Sequence, residues 1–194
     1  MHGLVNRAIQ CFIRDTYGTP IWEEIARASD APVAGFEAMF VYEDAVTDRM
    51  LDAAETVLQR PRETVLEDLG TYLVSHPNVE ALRRLLRFGG ETFLDFLHTI
   101  DDLPRRAALA VPELVLPELS VVDAGCNRVR IGCHGDRVGF GYVLVCILRT
   151  LADDYGALAL LEYEGDGASE EWISVDILNA EHTRGRPFQL AARI

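Results

Sequence analysis

The residues best suited to chemistry stand between a predicted strand and a long apolar helix. Cys126, Cys133 and His134 are metal-ligand types, but they form no CxxC pair and no fourth ligand has suitable spacing. Arg137 carries a guanidinium group, which pairs bidentately with a carboxylate or a phosphate. The string therefore predicts an anion-binding arginine rather than a metal site, with a plain salt bridge to a neighbouring acid as the alternative.

Signatures of catalysis are missing from the sequence. It has no GxSxG elbow and no GxGxxG turn after a strand, and all 18 basic residues are arginine, which excludes a Walker or Schiff-base lysine. The carboxylate pairs Asp101-Asp102 and Asp153-Asp154 consist of adjacent residues, whose side chains point apart on a helix. We therefore expect a binding domain and not an enzyme.

The composition fits one globular domain. The chain has 194 residues, of which 49% are hydrophobic and 25% charged, and its net charge is −13 with no basic stripe to follow a phosphate backbone. No apolar run reaches the roughly 18 residues that cross a bilayer. Arg7 and Arg14 lie in an amphipathic opening segment that does not resemble a secretory signal. We expect a cytoplasmic protein with reduced cysteines that binds neither nucleic acid nor membranes.

Apolar side chains recur at helical spacing through the first half and alternate along short runs in the second. Asn78 is the expected N-cap of the fifth helix. The order of elements predicts an α+β fold, in which a mainly helical first half is followed by a small antiparallel sheet crossed by a long helix. The predicted helices are 3–17, 20–28, 44–59, 61–75, 78–87, 91–98, 103–109 and 139–154, and the predicted strands are 119–123, 128–133, 157–163 and 171–178.

The opening string MHGLVNRAIQCFIRDTYGTPIWEEI and the order of elements after it resemble the heme-nitric oxide/oxygen-binding (H-NOX) family, the sensor domain of soluble guanylate cyclase. The resemblance covers about residues 1–178. It implies a single domain over 1–194, in which a helical subdomain of about 1–60 packs on a pocket and sheet subdomain of about 61–194. The other matching strings are Thr64–Leu69, Phe93–Leu97, Ile100–Leu103, Pro112 with Pro117–Leu119, and Arg137 with Tyr142 and Leu148–Leu151.

The resemblance also implies a heme, held by an axial histidine and by a Tyr-x-Ser-x-Arg clasp on its propionates. In an ungapped alignment from Ile100–Leu103 to Pro112, the axial position holds Pro104, which has no donor atom for iron. The clasp string is Cys133–Arg137, in which only Arg137 keeps the family residue. Each lost charge-assisted donor costs roughly 1.5–3 kcal/mol of binding. We therefore expect a degenerate heme site, with heme either bound in some other form or absent.

Four further residues are candidates for the pocket by resemblance. Tyr142 falls where some family members place a distal tyrosine that hydrogen-bonds bound oxygen, and Pro117 resembles a proline that presses on the heme face. Val5 and Ile9 would line the distal side. The alternative for all four is an ordinary place in the core or, for Pro117, at the entry of a strand.

Three residues are weak candidates for a substitute iron ligand: Cys133, His98 and His134. A thiolate ligand needs a lowered pKa and electropositive surroundings, which Arg137 alone offers to Cys133. His98 lies six residues before Pro104, about 240° away around a helix, and therefore faces another direction. The alternative for each is a surface or core side chain without a metal.

The resemblance implies a sensory function, in which ligand occupancy shifts the helical subdomain and a protein partner responds. The partners of the family are a histidine kinase, a cyclic-dinucleotide enzyme or a chemotaxis receptor, and the acidic surface suits a partner with a basic face. Two alternatives stay open. In the first, the chain is a heme-free module for another apolar acid, such as a fatty acid or a linear tetrapyrrole held by Arg137. In the second, it is a pure interaction domain with a closed cavity.

Overall fold

The computed structural model describes residues 1–87, 89–136, 138–165 and 170–186 of the chain. Its mixed helices and small antiparallel sheet confirm the predicted α+β fold. The helices are α1 (Gly3–Tyr17), α2 (Thr19–Ser29), α3 (Asp44–Leu58), α4 (Arg62–Ser75), α5 (Glu80–Arg87), α6 (Phe93–His98), α7 (Leu103–Ala110) and α8 (Phe140–Tyr155). The strands are β1 (Glu118–Gly125), β2 (Arg128–His134), β3 (Leu158–Gly165) and β4 (Glu171–Asn179), and two 3-10 turns cover Pro77–Val79 and Ile100–Asp102.

Local chemistry fixes where the helices begin and end. Gly18 has a φ of 93°, which lets the chain turn from α1 directly into α2. His76 begins the turn before α5, because its Nδ1 accepts a hydrogen bond from the backbone N–H of Asn78. The predicted cap at Asn78 is therefore wrong, and its side chain instead donates to Asp15 at 2.8 Å. No helix in the described ranges is long and apolar enough to cross a membrane.

The sheet is antiparallel throughout, with the strand order β1-β2-β4-β3. Alternate side chains of the strands point to one face of the sheet, where β3 and β4 pack against α8, whereas β1 contacts the 3-10 turn Ile100–Asp102 and α7. In β2 and β4 the buried side chains are Val129, Ile131, Cys133, Glu171, Ile173, Val175 and Ile177. Glu171 is the one charged residue of that set, and it lies directly opposite Cys133 in the β2–β4 pairing.

Helices α4 and α8 cross in direct backbone contact, and this contact joins the first half of the chain to the second. A Cβ added at Gly70 would lie only 2.2 Å from the carbonyl oxygen of Val143, so a side chain at this position would displace one helix. Helix α4 also packs against α1 and α3. A boundary between two subdomains near residue 60 stays a prediction.

Candidate functional site

The clasp string begins with the last two residues of β2, Cys133 and His134, and the chain then leads to the start of α8, where a buried carboxylate lies. Gly139, with a φ of 114°, turns the chain into the first residue of α8. Its backbone N–H donates to Oε1 of Glu171 at 2.8 Å, and the hydroxyl of Tyr163 donates to the same oxygen at 2.9 Å. Glu171 is only 4% exposed. The beginning of α8 is therefore a place where the fold holds an anion, and Glu171 supplies it.

Three elements cooperate to hold Glu171 there. Strand β4 directs its side chain inward, and β3 supplies Tyr163 from the neighbouring strand. Gly141 leaves the space open, because an added Cβ would lie 3.1 Å from Oε1 of Glu171 and 2.6 Å from the ring of Tyr163. The positive end of the helix dipole of α8 also favours a negative charge at this point. Backbone, side chain and helix end thus all stabilise the carboxylate.

Burial and the carboxylate of Glu171 keep the Cys133 thiol and the Tyr163 hydroxyl protonated. Burial raises the pKa of Cys133 to about 12, and the negative charge of Glu171 adds to the rise. Burial likewise raises the pKa of Tyr163, as does its hydrogen bond to Glu171. The sulfur of Cys133 is consequently a neutral thiol at pH 7, which is a poor ligand for iron.

The strand geometry separates the residues that the sequence places side by side. His134 follows Cys133 in β2 and therefore points to the opposite, outer face of the sheet. There its Nε2 lies 2.7 Å from Oγ of Ser120, and its ring meets the edge of Trp172. Cys133 and His134 cannot bind one ion together. Within the described ranges, no three His, Cys, Asp or Glu side chains are placed to hold a metal.

Tyr142 lies beside this carboxylate network and lines a cavity. Its ring stacks on that of Tyr163, with centroids 4.1 Å apart. The cavity has a volume of about 390 Å³, within the range of small-molecule sites. Its lining residues are Asp48, Arg62, Glu63, Leu66, Asp136, Val138, Gly139 and Tyr142.

Charge in the lining of this cavity is mostly negative. Among the described residues of the lining, three carboxylates face one guanidinium, and that guanidinium, on Arg62, already bonds to Asp48 at 3.0 Å and to Asp52 at 2.9 Å. Asp136 contributes a carboxylate from the clasp loop itself. These described residues therefore offer the carboxylate of a bound ligand little electrostatic stabilisation.

The remaining predicted site residues lie in several places. Pro104 is half-buried in the first turn of α7, a helix without a fully buried side chain, and His98 is exposed at the end of α6. Ile9 is buried in the core and Val5 packs against it. Pro117 lies against the clasp loop, since a Cβ added at Gly135 would meet its Cβ at 3.3 Å. Arg137 lies outside the described residues. The roles given to these residues stay predictions.

Sequence reasoning did not identify Glu171 or Tyr163. A signal for Glu171 was present, because positions 171, 173, 175 and 177 share one face of a strand and the other three residues are Ile, Val and Ile. An acid on an otherwise apolar face indicates a buried carboxylate with dedicated hydrogen-bond donors. The identity of those donors depends on the pairing of β4 with its neighbours, which the pattern does not give.

The chain belongs to the family described as Haem-NO-binding, whose model matches residues 2–159. Among curated relatives, the soluble guanylate cyclase 89Da of Drosophila melanogaster is 20% identical over 163 residues, which are 84% of this chain and 24% of that protein. The soluble guanylate cyclase gcy-31 of Caenorhabditis elegans is 21% identical over 154 residues, 79% of this chain and 22% of its own length. The chain thus spans about a quarter of these relatives.

Solved structures show the same fold. An H-NOX protein from S. oneidensis in the Fe(II) ligation state aligns with a TM-score of 0.78 and 16% identity, covering 93% of this chain and 98% of that one. The Fe(II) unliganded H-NOX protein from K. algicida aligns with a TM-score of 0.76 and 11% identity, over 91% and 96%. The H-NOX fold predicted from the opening string and the order of elements is confirmed.

The family is named for heme, and the residues of this chain do not fit a heme held in the expected way. Pro104, which the resemblance places at the axial position, has no donor atom. The buried Cys133 keeps its proton. At the start of α8, donors that would suit a propionate already bond to the carboxylate of Glu171.

Proposed function

We propose that this chain is a sensory ligand-binding domain of H-NOX type with a degenerate heme site, which signals to a protein partner. Pro104 carries the proposal, because the resemblance puts it at the position of the iron ligand and it lies in the first turn of α7, a helix that has no histidine. Iron without a protein ligand has lost the bond through which five-coordinate heme reports gas binding. The proposal places the domain in the cytoplasm, where reduced thiols such as the free Cys11 and Cys126 persist.

The signal in this proposal is mechanical. A ligand that enters beside Tyr142 contacts the first turn of α8 and, through Leu66, the first half of α4. Since α4 packs on α1 and α3, a displacement of α8 reaches the helical first half of the chain. Occupancy shifts the population of the two arrangements only to the extent that the ligand binds one of them more tightly.

Absorption spectroscopy tests the heme part of the proposal. Wild-type protein expressed with ample heme, and then titrated with hemin, should show no saturable sharp Soret band. Pro104→His should gain a band that the control Pro104→Ala does not, because only histidine supplies a nitrogen for iron. A sharp band at stoichiometric heme in the wild type would overturn the proposal, and its loss in Cys133→Ala, His98→Ala or His134→Ala would name the substitute ligand.

The partner part of the proposal rests on the apolar loop, residues 30–43 between α2 and α3. Met39, Phe40 and Val41 follow one another in it and are 67%, 61% and 67% exposed. Between Arg27 and Arg49 the chain carries five acids and no base. An apolar tip with an acidic surround fits a protein partner that has an apolar groove edged by arginine or lysine.

The backbone of the apolar loop is already ordered, which favours binding. The carbonyl of Phe40 accepts from the N–H of Gly3 at 2.7 Å, and the hydroxyl of Tyr42 accepts from the N–H of Glu37 at 2.9 Å. An isolated antiparallel bridge also pairs His2 with Val41. A partner would therefore bind these side chains without first fixing the loop, so less conformational entropy is lost on association.

Binding to a histidine kinase and to a cyclic-dinucleotide enzyme, each purified as a candidate partner, tests this surface. Phe40→Ser should weaken binding by about tenfold or more, as expected for a central apolar anchor. Leu109→Ser is the matched control, because Leu109 is also exposed but lies on α7. Equal effects of the two variants, or binding that does not weaken with added salt, would contradict the assignment of this loop.

A further inference from the structure

We propose that Glu171 is a built-in anion that fills the carboxylate-binding place at the start of α8, so that the pocket selects ligands without a carboxylate at that point. The inference rests on the proposed function, because it concerns the ligand of the same pocket. It goes further by naming a residue that sets the class of ligand. Hemes, fatty acids and linear tetrapyrroles all carry carboxylates, and the selection acts against each of them.

Glu171 already occupies the hydrogen-bond donors at the start of α8. A ligand carboxylate at the beginning of α8 would bind the N–H of Gly139 and the hydroxyl of Tyr163, which are the donors that Glu171 already engages. Glu171 comes from the same chain, so its binding costs no loss of translational freedom. An external carboxylate must displace it into a protein interior, where an unpaired charge is strongly disfavoured.

The negative side chains around the cavity repel the carboxylate of a ligand. Tyr142 and Gly139 belong both to the Glu171 network and to the wall of the cavity, so a ligand in the cavity lies close to that carboxylate. The other walls add Asp48, Glu63 and Asp136. From the described walls a ligand carboxylate would meet like charge on several sides, whereas a neutral or cationic group would not.

The residues around Glu171 leave space for its side chain. Gly141 is needed to admit the carboxylate and the ring of Tyr163, and Glu171 stands opposite Cys133, the first residue of the clasp string. Cys133 has no strong donor to offer a ligand carboxylate, and burial beside Glu171 keeps its thiol protonated. Residues of β2, β4 and α8 therefore all accommodate the carboxylate of Glu171 inside the protein.

Protoporphyrin IX and its dimethyl ester are the probes that test this inference. Neither contains iron, so the presence or absence of an axial ligand does not enter, and the two differ only in their carboxylates. Binding is followed by quenching of tryptophan fluorescence under identical detergent conditions. In the wild type the ester should bind at least about tenfold more tightly than the free acid, which corresponds to one charge-assisted interaction.

Glu171→Gln should remove that preference by strengthening binding of the free acid about tenfold or more while the ester changes little. Glu162→Gln is the matched control, since Glu162 lies exposed on the outer face of the same hairpin and removes one charge elsewhere. The double variant Glu171→Gln/Arg137→Ala should lose the gained affinity for the free acid, because the clasp arginine would then be absent.

An equal affinity of the wild type for acid and ester, or an unchanged ratio in Glu171→Gln, would overturn the inference. If the wild type binds neither probe, a gain for the free acid in Glu171→Gln still supports it, and no gain overturns it. Glu171→Asp keeps the charge but shortens the side chain, so it should keep the preference if Glu171→Gln does not fold. A Soret band in the wild type would refute the proposed function alone, whereas this ratio concerns Glu171 alone.

Discussion

The two ends of α8 each hold a buried carboxylate, and the fold compensates them differently. At the first turn, Glu171 accepts from an N–H and a hydroxyl, both neutral donors, and lies at the positive end of the helix dipole. In the last turn, Asp154 lies at the negative end of the same dipole, where a carboxylate is disfavoured. There the Arg83 guanidinium of α5 binds it with two hydrogen bonds, one of them 2.5 Å from Nε to Oδ2.

The same charge therefore needs more compensation at the C-terminal end of a helix than at the N-terminal end. The side chains of Arg83 and Asp154 are only 14% and 7% exposed, so neither charge is solvated if its partner is removed. Glu171 depends on several weaker contributions, each of which can be removed singly. A single substitution at the C-terminal end of α8 should therefore cause a large loss of stability, whereas each single substitution at the N-terminal end should cause a smaller one.

Arg83→Ala should produce the largest loss of stability, about 3–5 kcal/mol, because it leaves Asp154 buried and unpaired. Urea unfolding followed by circular dichroism measures the change. Arg27→Ala is the control, since its ion pair with Glu23 is exposed and should contribute at most about 1 kcal/mol. A loss for Arg83→Ala no greater than that of the control would remove the contrast between the two ends of α8.

Glu171→Gln should cost about 1–2 kcal/mol, less than Arg83→Ala, because the amide oxygen still accepts from the N–H of Gly139 while the charge–dipole interaction is lost. The same urea titration measures it. Glu162→Gln, on the exposed face, should change stability by less than about 0.5 kcal/mol. If Glu171→Gln instead stabilises the protein, the carboxylate is a cost that the fold carries for ligand selection, and the comparison must be revised.

Tyr163→Phe should cost about 1 kcal/mol, because it removes one neutral donor to Glu171 and leaves the backbone donor in place. Its ring still stacks on that of Tyr142. A loss as large as that of Arg83→Ala would show that the two donors to Glu171 do not act independently.

A pH-dependent effect concerns the thiol opposite Glu171. The pKa of Cys133 is raised from 9.0 to about 12 in the folded chain, first by burial and then by the charge of Glu171. The unfolded thiol therefore loses its proton at lower pH, so stability is present below about pH 9 and falls as the pH rises above it. Urea midpoints at about pH 8 and about pH 10 should differ less in Cys133→Ala than in the wild type.

Thiol labelling provides a second measurement at the same site. Cys126 is exposed in a left-handed turn and should react with iodoacetamide at once, whereas the buried Cys133 should react only when the chain opens. In Glu171→Gln the pKa of Cys133 should fall, because one of its two causes is removed. Immediate labelling of Cys133 in the wild type would contradict its burial beside Glu171.

The helices and strands could be predicted from the sequence because they depend on neighbours a few residues apart. The apolar spacing of residues 3–17 and the alternation of 128–133 both predicted elements that the structure contains. The cap of the fifth helix was wrong because Asn78 and His76 both carry acceptors near that turn, and only the packing of Asp15 against Asn78 decides between them.

The candidate site was predictable only in part, because its contacts join distant segments. The clasp loop was located from the resemblance, yet Glu171 lies 32 residues after Gly139 and Arg83 lies 71 residues before Asp154. Both acids show as charges on apolar faces of their elements. Their partners follow from strand pairing and from the packing of α5 on α8, which local spacing does not encode.

The crossing at Gly70 has a consequence for how far a signal can travel. A backbone carbonyl has no rotamers, so the close contact of Gly70 with Val143 cannot be relieved by rearranging side chains. Helix α8 has 16 residues and is about 24 Å long. A tilt of about 5° at its start would therefore move its far end by about 2 Å. Under the proposed function, a small tilt at the start of α8 would thus reach its far end as a larger displacement.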